Sequence, residues 1–258
     1  MWNEACSIPV VHRVTSPLLL GLVLAVAGTL VAACTAQGED GVGESSSAVT
    51  TDAGADADAG PLPPFHGVAS MLDKARRDTM SGISQKTGCP ITFEHLRLLT
   101  LDHWGFDGQV HEGHLVVHED QSNALLTVFE AVFRARYPIA RMQLVDVYGG
   151  DDDLSMDDDN TSAFNCRPKT GQSNGFSEHS YGRAIDINPV QNPYVTSGGT
   201  VSPPAGAPYA KRTSKAAREP GVIHANDAVV KAFANIGWKW GGDWSGTRDY
   251  QHFSLSGK

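Results

Sequence analysis

Positive charge is scarce in this chain of 258 residues: 20 lysines and arginines face 29 acidic residues, for a formal net charge of −9. Proteins that bind nucleic acids usually present a basic face, so we expect no nucleic-acid partner. The segment 35–64 lacks basic and aromatic residues altogether but holds six acids, which are Glu39, Asp40, Glu44, Asp52, Asp56 and Asp58. Because such a segment cannot bury enough apolar surface to offset its chain entropy, residues 34–64 are predicted to be a disordered tether.

A long apolar run, PLLLGLVLAVAGTLVAAC, follows His12 and Arg13 near the N-terminus. A weakly basic start and a small-residue ending are typical of a secretory signal peptide, which we predict over residues 1–33. The ending VAAC resembles the bacterial lipobox, in which Cys34 would carry the lipid and provide the sole membrane contact. The alternative is a retained membrane anchor. Either way we expect the protein to be exported to the cell envelope, where it would be anchored to a membrane by the lipid or be periplasmic or extracellular.

Cysteine is also scarce, with 4 residues. Cys6 lies in the signal region and Cys34 is the lipidation candidate, which leaves Cys89 and Cys166. In an oxidising compartment two remaining cysteines can pair in only one way, so a Cys89–Cys166 disulfide is predicted. Two buried free thiols are the alternative.

Residues 65–258 have a globular composition without a second linker or an internal repeat, and we expect one monomeric domain. Helices and short strands that do not alternate regularly indicate an α+β fold with a small, mostly antiparallel sheet flanked by helices. Helices are predicted at 67–80, 123–138 and 226–238, a two-stranded hairpin at 96–120 that turns at 106–108, and short strands at 142–149, 162–167, 183–188 and 250–256.

The stretch SEHSYGRAIDINP places His179 and Asp186 seven positions apart around Gly182. A catalytic zinc site usually takes three ligands from His and carboxylate side chains and leaves one position for water. If the chain turns at Gly182, both side chains reach one point at the sheet face. The C-terminal segment offers a third ligand in His252, and Asp249 precedes it by three residues. A carboxylate beside the metal but not bound to it is what a zinc hydrolase needs as a general base.

These residues form two motifs, S-x-H-x-x-G-x-A-x-D from Ser177 to Asp186 and an acid three positions before the His252–Phe253 pair. Together they resemble the zinc peptidases of bacterial cell walls, which include D-alanyl-D-alanine carboxypeptidases of the vancomycin-resistance type and L-alanyl-D-glutamate endopeptidases. The likeness spans roughly residues 137–253. It implies one Zn²⁺ bound by His179, Asp186 and His252, with Asp249 as the catalytic base.

The family also uses an arginine that steadies the substrate carbonyl, and here the sequence departs from its usual order, because no helix separates the candidate from His179. Arg167 is the first choice, since the segment SAFNCR is predicted to point toward the site, and Arg141 is the second. Ser177, Tyr181 and Trp240 are assigned as substrate-binding residues.

The resemblance and the predicted export together imply a peptidase that acts on peptidoglycan stem peptides, by preference as a D-alanyl-D-alanine carboxypeptidase. The alternatives are an endopeptidase of the same family and a non-catalytic lipoprotein that binds the cell wall.

Two other stretches look like metal sites. HEGHLVVHED holds three histidines but lacks the H-E-x-x-H spacing, and its alternation is that of a strand. The acidic run from Asp151 to Asp159 lacks the ligand spacing and the glycine of a calcium loop, so we interpret it as a solvated loop.

Overall fold

A computed structural model describes residues 60–169 and 174–258. The predicted signal peptide, the candidate lipidation site Cys34 and the predicted tether up to residue 59 lie outside the described residues. Within those residues, no helix has the length and apolar character needed to cross a lipid bilayer.

Helices and strands, most of them short, alternate irregularly along the described chain. The α-helices are α1 (Lys74–Met80), α2 (Ser122–Arg134), α3 (Asp152–Asp157) and α4 (Ala228–Asn235). The β-strands are β1 (Gly67–Met71), β2 (Leu96–Trp104), β3 (Val110–His118), β4 (Arg141–Met142), β5 (Asn160–Thr161), β6 (Ala184–Asp186), β7 (Tyr194–Val195), β8 (Val201–Ser202), β9 (Lys239–Trp240), β10 (Arg248–Asp249) and β11 (His252–Ser254).

The predicted α+β class is confirmed, but the antiparallel strands divide among three sheets instead of one. Their strand orders are β1-β2-β3, β10-β7-β8 and β6-β11-β9, and β4 and β5 form a separate parallel pair. The predicted hairpin is present as β2 and β3, with Leu99 opposite Leu115. Its turn closes where the Gly105 N–H donates to the Gln109 carbonyl.

The main core lies between α2, α4 and two of the sheets. Leu99 and Leu101 of β2 face this core, whereas Leu96 faces a second apolar cluster on the other side of the sheet, as expected for a strand whose side chains alternate. On α2 the buried residues recur at helical spacing and form one apolar stripe. Phe253 of β11 is fully buried, with its ring centroid 4.2 Å from that of Phe233.

Three of the predicted elements need correction. The helix predicted at 67–80 begins only at Lys74, because the Asp73 side chain caps it there by accepting from the Arg76 N–H, and residues 67–71 form β1 instead. Of the strand predicted at 142–149, only Met142 lies in a strand, and the second half begins with a 3-10 helix, Val145–Tyr148. The segment 162–167 is not a strand, since its N–H groups donate to three separate parts of the chain: Phe164 to Val116, Asn165 to His179 and Cys166 to Ser84.

His179 lies in a short 3-10 helix, Glu178–Tyr181, which ends at Gly182 just before β6. Gly182 has a φ of +64°, and its carbonyl accepts from the His118 N–H at the end of β3. A Cβ at this position would lie 2.5 Å from that nitrogen. The glycine therefore permits both the left-handed turn and a close backbone approach.

The predicted Cys89–Cys166 disulfide is present and belongs to the second apolar cluster. It links the loop after α1 to the segment that continues into Arg167.

Replacing both cysteines with alanine is expected to lower the free energy of unfolding by about 2–4 kcal/mol, because the bond closes a loop across a sequence separation of 77 and restricts the unfolded chain. Urea denaturation measures this change. Dithiothreitol should bring the wild-type protein to the variant's stability and leave the variant unchanged. Complete alkylation of both thiols without prior reduction would contradict the bond.

Gly182→Ala is expected to destabilise the protein more than Gly82→Ala, a matched control with a φ of +78° and no atom within 4 Å of the added methyl group. Gly82→Ala should lose only about 1–2 kcal/mol, which a left-handed backbone conformation costs a residue with a Cβ. Gly182→Ala adds the clash with His118 and should cost at least about 3 kcal/mol. Equal losses for the two variants in urea denaturation would show that the close approach is unimportant.

Candidate metal centre

The antiparallel pairing of β6 and β11 sets Asp186 directly opposite His252, and the 3-10 helix before β6 adds His179. Nε2 of His179 lies 3.1 Å from Oδ2 of Asp186. Nδ1 of His252 lies 2.9 Å from Oδ1 of Asp186 and 3.3 Å from Nε2 of His179. All three side chains are buried. The structure thus brings together the three residues that the motifs singled out.

The outer nitrogens of both imidazoles face main-chain oxygens. Nδ1 of His179 lies 2.6 Å from the Ala163 carbonyl oxygen, and Nε2 of His252 lies 3.3 Å from the Lys258 carbonyl oxygen. Because a carbonyl oxygen only accepts, each of these nitrogens carries the proton in the neutral ring. The opposite nitrogens then direct their lone pairs toward Asp186, which is the usual orientation of histidines that bind a metal.

Two lone pairs and a carboxylate converge in this arrangement, and such acceptors repel one another unless a cation or protons lie between them. Ligands of a tetrahedral zinc ion at about 2.0–2.1 Å are about 3.3 Å apart, close to the separations seen here. Two imidazoles and one carboxylate also form a donor set typical of zinc hydrolases. The residues present therefore fit a zinc ion, and within the described chain no other group of at least three such side chains is this compact.

The electrostatics of the three side chains follow from their burial. Burial by itself would raise the pKa of Asp186, but the adjacent His179 and His252 hold that pKa well below its usual range. Burial likewise opposes protonation of His252, but the Asp186 carboxylate outweighs it and raises the pKa of the imidazole. The Asp186 carboxylate thus favours the protonated imidazole, and the imidazoles favour the ionised carboxylate. A positive charge located between the three side chains is therefore stabilised.

Asp249 lies on β10, opposite Tyr194 of β7, and lines the same cavity as the three side chains. Its backbone passes so close to Gly241 that a Cβ there would lie 2.6 Å from the Asp249 carbonyl oxygen. Oδ1 of Asp249 is buried and has no hydrogen-bond partner within the described residues. Burial raises the pKa of Asp249 to about 7, although the positive field of His252 opposes the shift.

The structure distinguishes between the two candidate arginines. Arg167 lines the cavity, and its charge acts on Asp249. Arg141 is exposed and pairs with Asp158 at 3.1 Å, outside the cavity lining. Arg167 also forms a 2.8 Å ion pair with Asp152 of α3.

The cavity has a volume of about 740 Å³ and a largely polar lining. The lining includes hydroxyl groups, which come from Tyr194, Thr196, Thr200, Ser202, Ser245 and Thr247. It also includes charged side chains, which are those of Asp152, Asp153, Arg167, Lys169 and Glu178. Hydrogen-bonding and charged groups thus surround the candidate metal centre, as expected for a polar ligand.

The three predicted substrate-binding residues have different surroundings. Ser177 lines the cavity, and its hydroxyl also caps the 3-10 helix by accepting from the His179 N–H. Tyr181 lines a neighbouring pocket instead. Trp240 is buried outside the cavity lining, because its indole N–H donates to the Tyr250 carbonyl and its ring packs on Phe253.

The other two metal-like stretches have different roles. The three histidines of the β3 stretch pair with nearby carboxylates: His111 with Asp107, His114 with Glu112 and His118 with Asp120. They are not part of a compact group of three metal-binding side chains within the described residues. The acidic run is not a loop as predicted but largely the helix α3, because the Asp151 side chain caps it by accepting from the Leu154 N–H.

Two residues that the sequence did not assign to the site, Asp152 and Trp244, also line the cavity. Trp244 lines the cavity, with its ring centroid 5.6 Å from that of His252. The acidic run was a visible signal for Asp152, but no spacing rule connects that run to Arg167, fifteen positions away. The Ala163 carbonyl that orients His179 leaves no signature in the sequence, because every residue has one.

Residues 170–255 match a protein-family model described as D-alanyl-D-alanine carboxypeptidase. No curated protein and no solved structure matches the chain. The matched residues include the three converging side chains and Asp249 but stop short of Arg167. The match agrees with the resemblance inferred from the two motifs: residues 170–255, which carry both motifs, are similar to D-alanyl-D-alanine carboxypeptidases.

Proposed function

We propose that this protein is a zinc-dependent peptidase that removes the terminal D-alanine from peptidoglycan stem peptides. The observation that carries the proposal is the convergence of His179, Asp186 and His252, whose facing atoms are separated by 2.9–3.3 Å, beside the carboxylate of Asp249. The family match supports peptidase chemistry at these residues.

His179, Asp186 and His252 would hold the zinc ion, which supplies Lewis-acid activation of water when it is bound. Asp249 accepts the proton of the attacking water and passes it to the leaving amine. Burial raises the pKa of Asp249 to about 7, and a pKa near neutrality suits a group that takes up a proton and returns it. A nearby cation would oppose this upward shift. Arg167 donates hydrogen bonds to the substrate carbonyl oxygen as negative charge develops on it.

We also propose that the protein is exported, on a signal peptide at 1–33, and lipidated at Cys34. Support comes from the apolar run and its VAAC ending. Export would place the domain beside peptidoglycan, and the acidic tether would give it reach from a membrane surface.

Purified protein is expected to contain about one zinc per chain and to release a single D-alanine from a stem pentapeptide. Chelation should abolish the release and added zinc should restore it, as measured by mass spectrometry of the products. His179→Ala should lose the metal, whereas His114→Ala, on the β3 hairpin, should keep it. An internal cut would establish the endopeptidase alternative, and a zinc-free, inactive protein would support the wall-binding one.

Asp249→Asn is expected to retain zinc and lose about 100-fold or more in kcat, because the amide preserves the shape of the side chain but accepts no proton. Asp243→Asn is the matched control, since Asp243 is an exposed carboxylate of the same C-terminal region and does not line the cavity. Wild-type turnover in Asp249→Asn would remove Asp249 from the role of base.

A further inference from the structure

The ion pair between Asp152 and Arg167 connects the acidic run to the candidate active site. Nη2 of Arg167 lies 2.8 Å from Oδ2 of Asp152, and the two side chains are only 19% and 25% exposed. Both residues line the cavity that holds His179, Asp186 and His252. A pair that is largely withdrawn from water is screened less than an exposed one, so it can fix the direction of a side chain.

Helix α3, which begins at Asp152, is tied to the fold by contacts that do not involve Arg167. The buried Ser155 hydroxyl accepts from Asn160 Nδ2 at 3.0 Å, which ties the helix to β5. At the end of the helix, Asp158 accepts from the Tyr148 hydroxyl at 2.6 Å and pairs with Arg141 at 3.1 Å. Arg141, the second candidate for the active-site arginine, thus helps to anchor the helix that carries Asp152.

The main chain of Arg167 is anchored on a different part of the fold. The Ser180 hydroxyl accepts from the Arg167 N–H and donates to the Arg167 carbonyl, both at 2.9 Å. The preceding residue, Cys166, is held by the disulfide to Cys89. These contacts fix where the side chain begins, whereas the ion pair with Asp152 acts at the guanidinium, the end of a long, flexible side chain.

We propose that Asp152 is a positioning residue that holds the Arg167 guanidinium in place for the substrate carbonyl. This inference depends on the proposed peptidase function. A guanidinium has five N–H donors and can bind more than one acceptor at once, so Asp152 and a substrate oxygen in the cavity can share it. A donor that is positioned before the reaction stabilises developing charge without reorganisation, and this is the contribution that Asp152 makes.

The test compares Asp152→Asn in the wild-type and Arg167→Ala backgrounds, with a stem pentapeptide as the substrate. In the wild-type background kcat is expected to fall about tenfold, a fraction of the loss that follows removal of an oxyanion donor itself, with a smaller change in KM. Zinc content and the thermal midpoint should not change. In the Arg167→Ala background the same substitution should have no further effect, because Asp152 acts through the guanidinium.

Two further variants complete the design. Asp152→Glu keeps a carboxylate and should recover most of the lost kcat. Asp157→Asn is the matched control: it removes the same charge from the same helix at an exposed position outside the cavity lining, and it should leave kcat unchanged.

Three results would overturn the inference: an unchanged or increased kcat in Asp152→Asn, an equal loss in both backgrounds, or an equal loss in Asp157→Asn. An increase would mean that Asp152 competes with the substrate for Arg167. Failure of the proposed function itself is distinguishable, because the wild-type protein would then release no D-alanine from the same peptide.

Discussion

The register between β6 and β11 is the constraint on which the candidate active site depends. It places Asp186 opposite His252, and a slip of one residue would turn one of the two away from the centre. The register is secured by Phe253, which is fully buried and packs on Phe233 of α4. The His-Phe pair near the C-terminus therefore has a physical meaning: the phenylalanine anchors the strand in the core so that the histidine faces the cavity.

Part of the surroundings of the metal centre comes from a segment with little regular structure. The segment 163–167 provides both the carbonyl that orients His179 and the side chain of Arg167. It is fixed by hydrogen bonds to three separate parts of the chain and by the disulfide at Cys166. The rest of the fold thus holds the three converging side chains close together although their lone pairs and charge repel one another. A bound cation would relieve this repulsion.

Sequence patterns predicted the elements in which local signals agree with the final contacts. The β2–β3 hairpin has alternating apolar residues and a glycine-containing turn, and α2 has one apolar stripe, so both were predicted correctly. The stretch 67–80 combines a strand and a helix with no break in its apolar pattern, so β1 was mistaken for part of a helix. For α3, the capping role of Asp151 was hidden within a run of identical acids.

The sequence by itself determined the three converging side chains, the neighbouring Asp249 and the cysteine pair, because residue type and spacing report which groups share a function. Only the tertiary structure showed that Arg167 and Trp244, rather than Arg141 and Trp240, line the cavity, and that Asp152 pairs with Arg167. The reason is that long side chains reach partners on elements distant in sequence, and which elements meet is decided by the packing of the whole core.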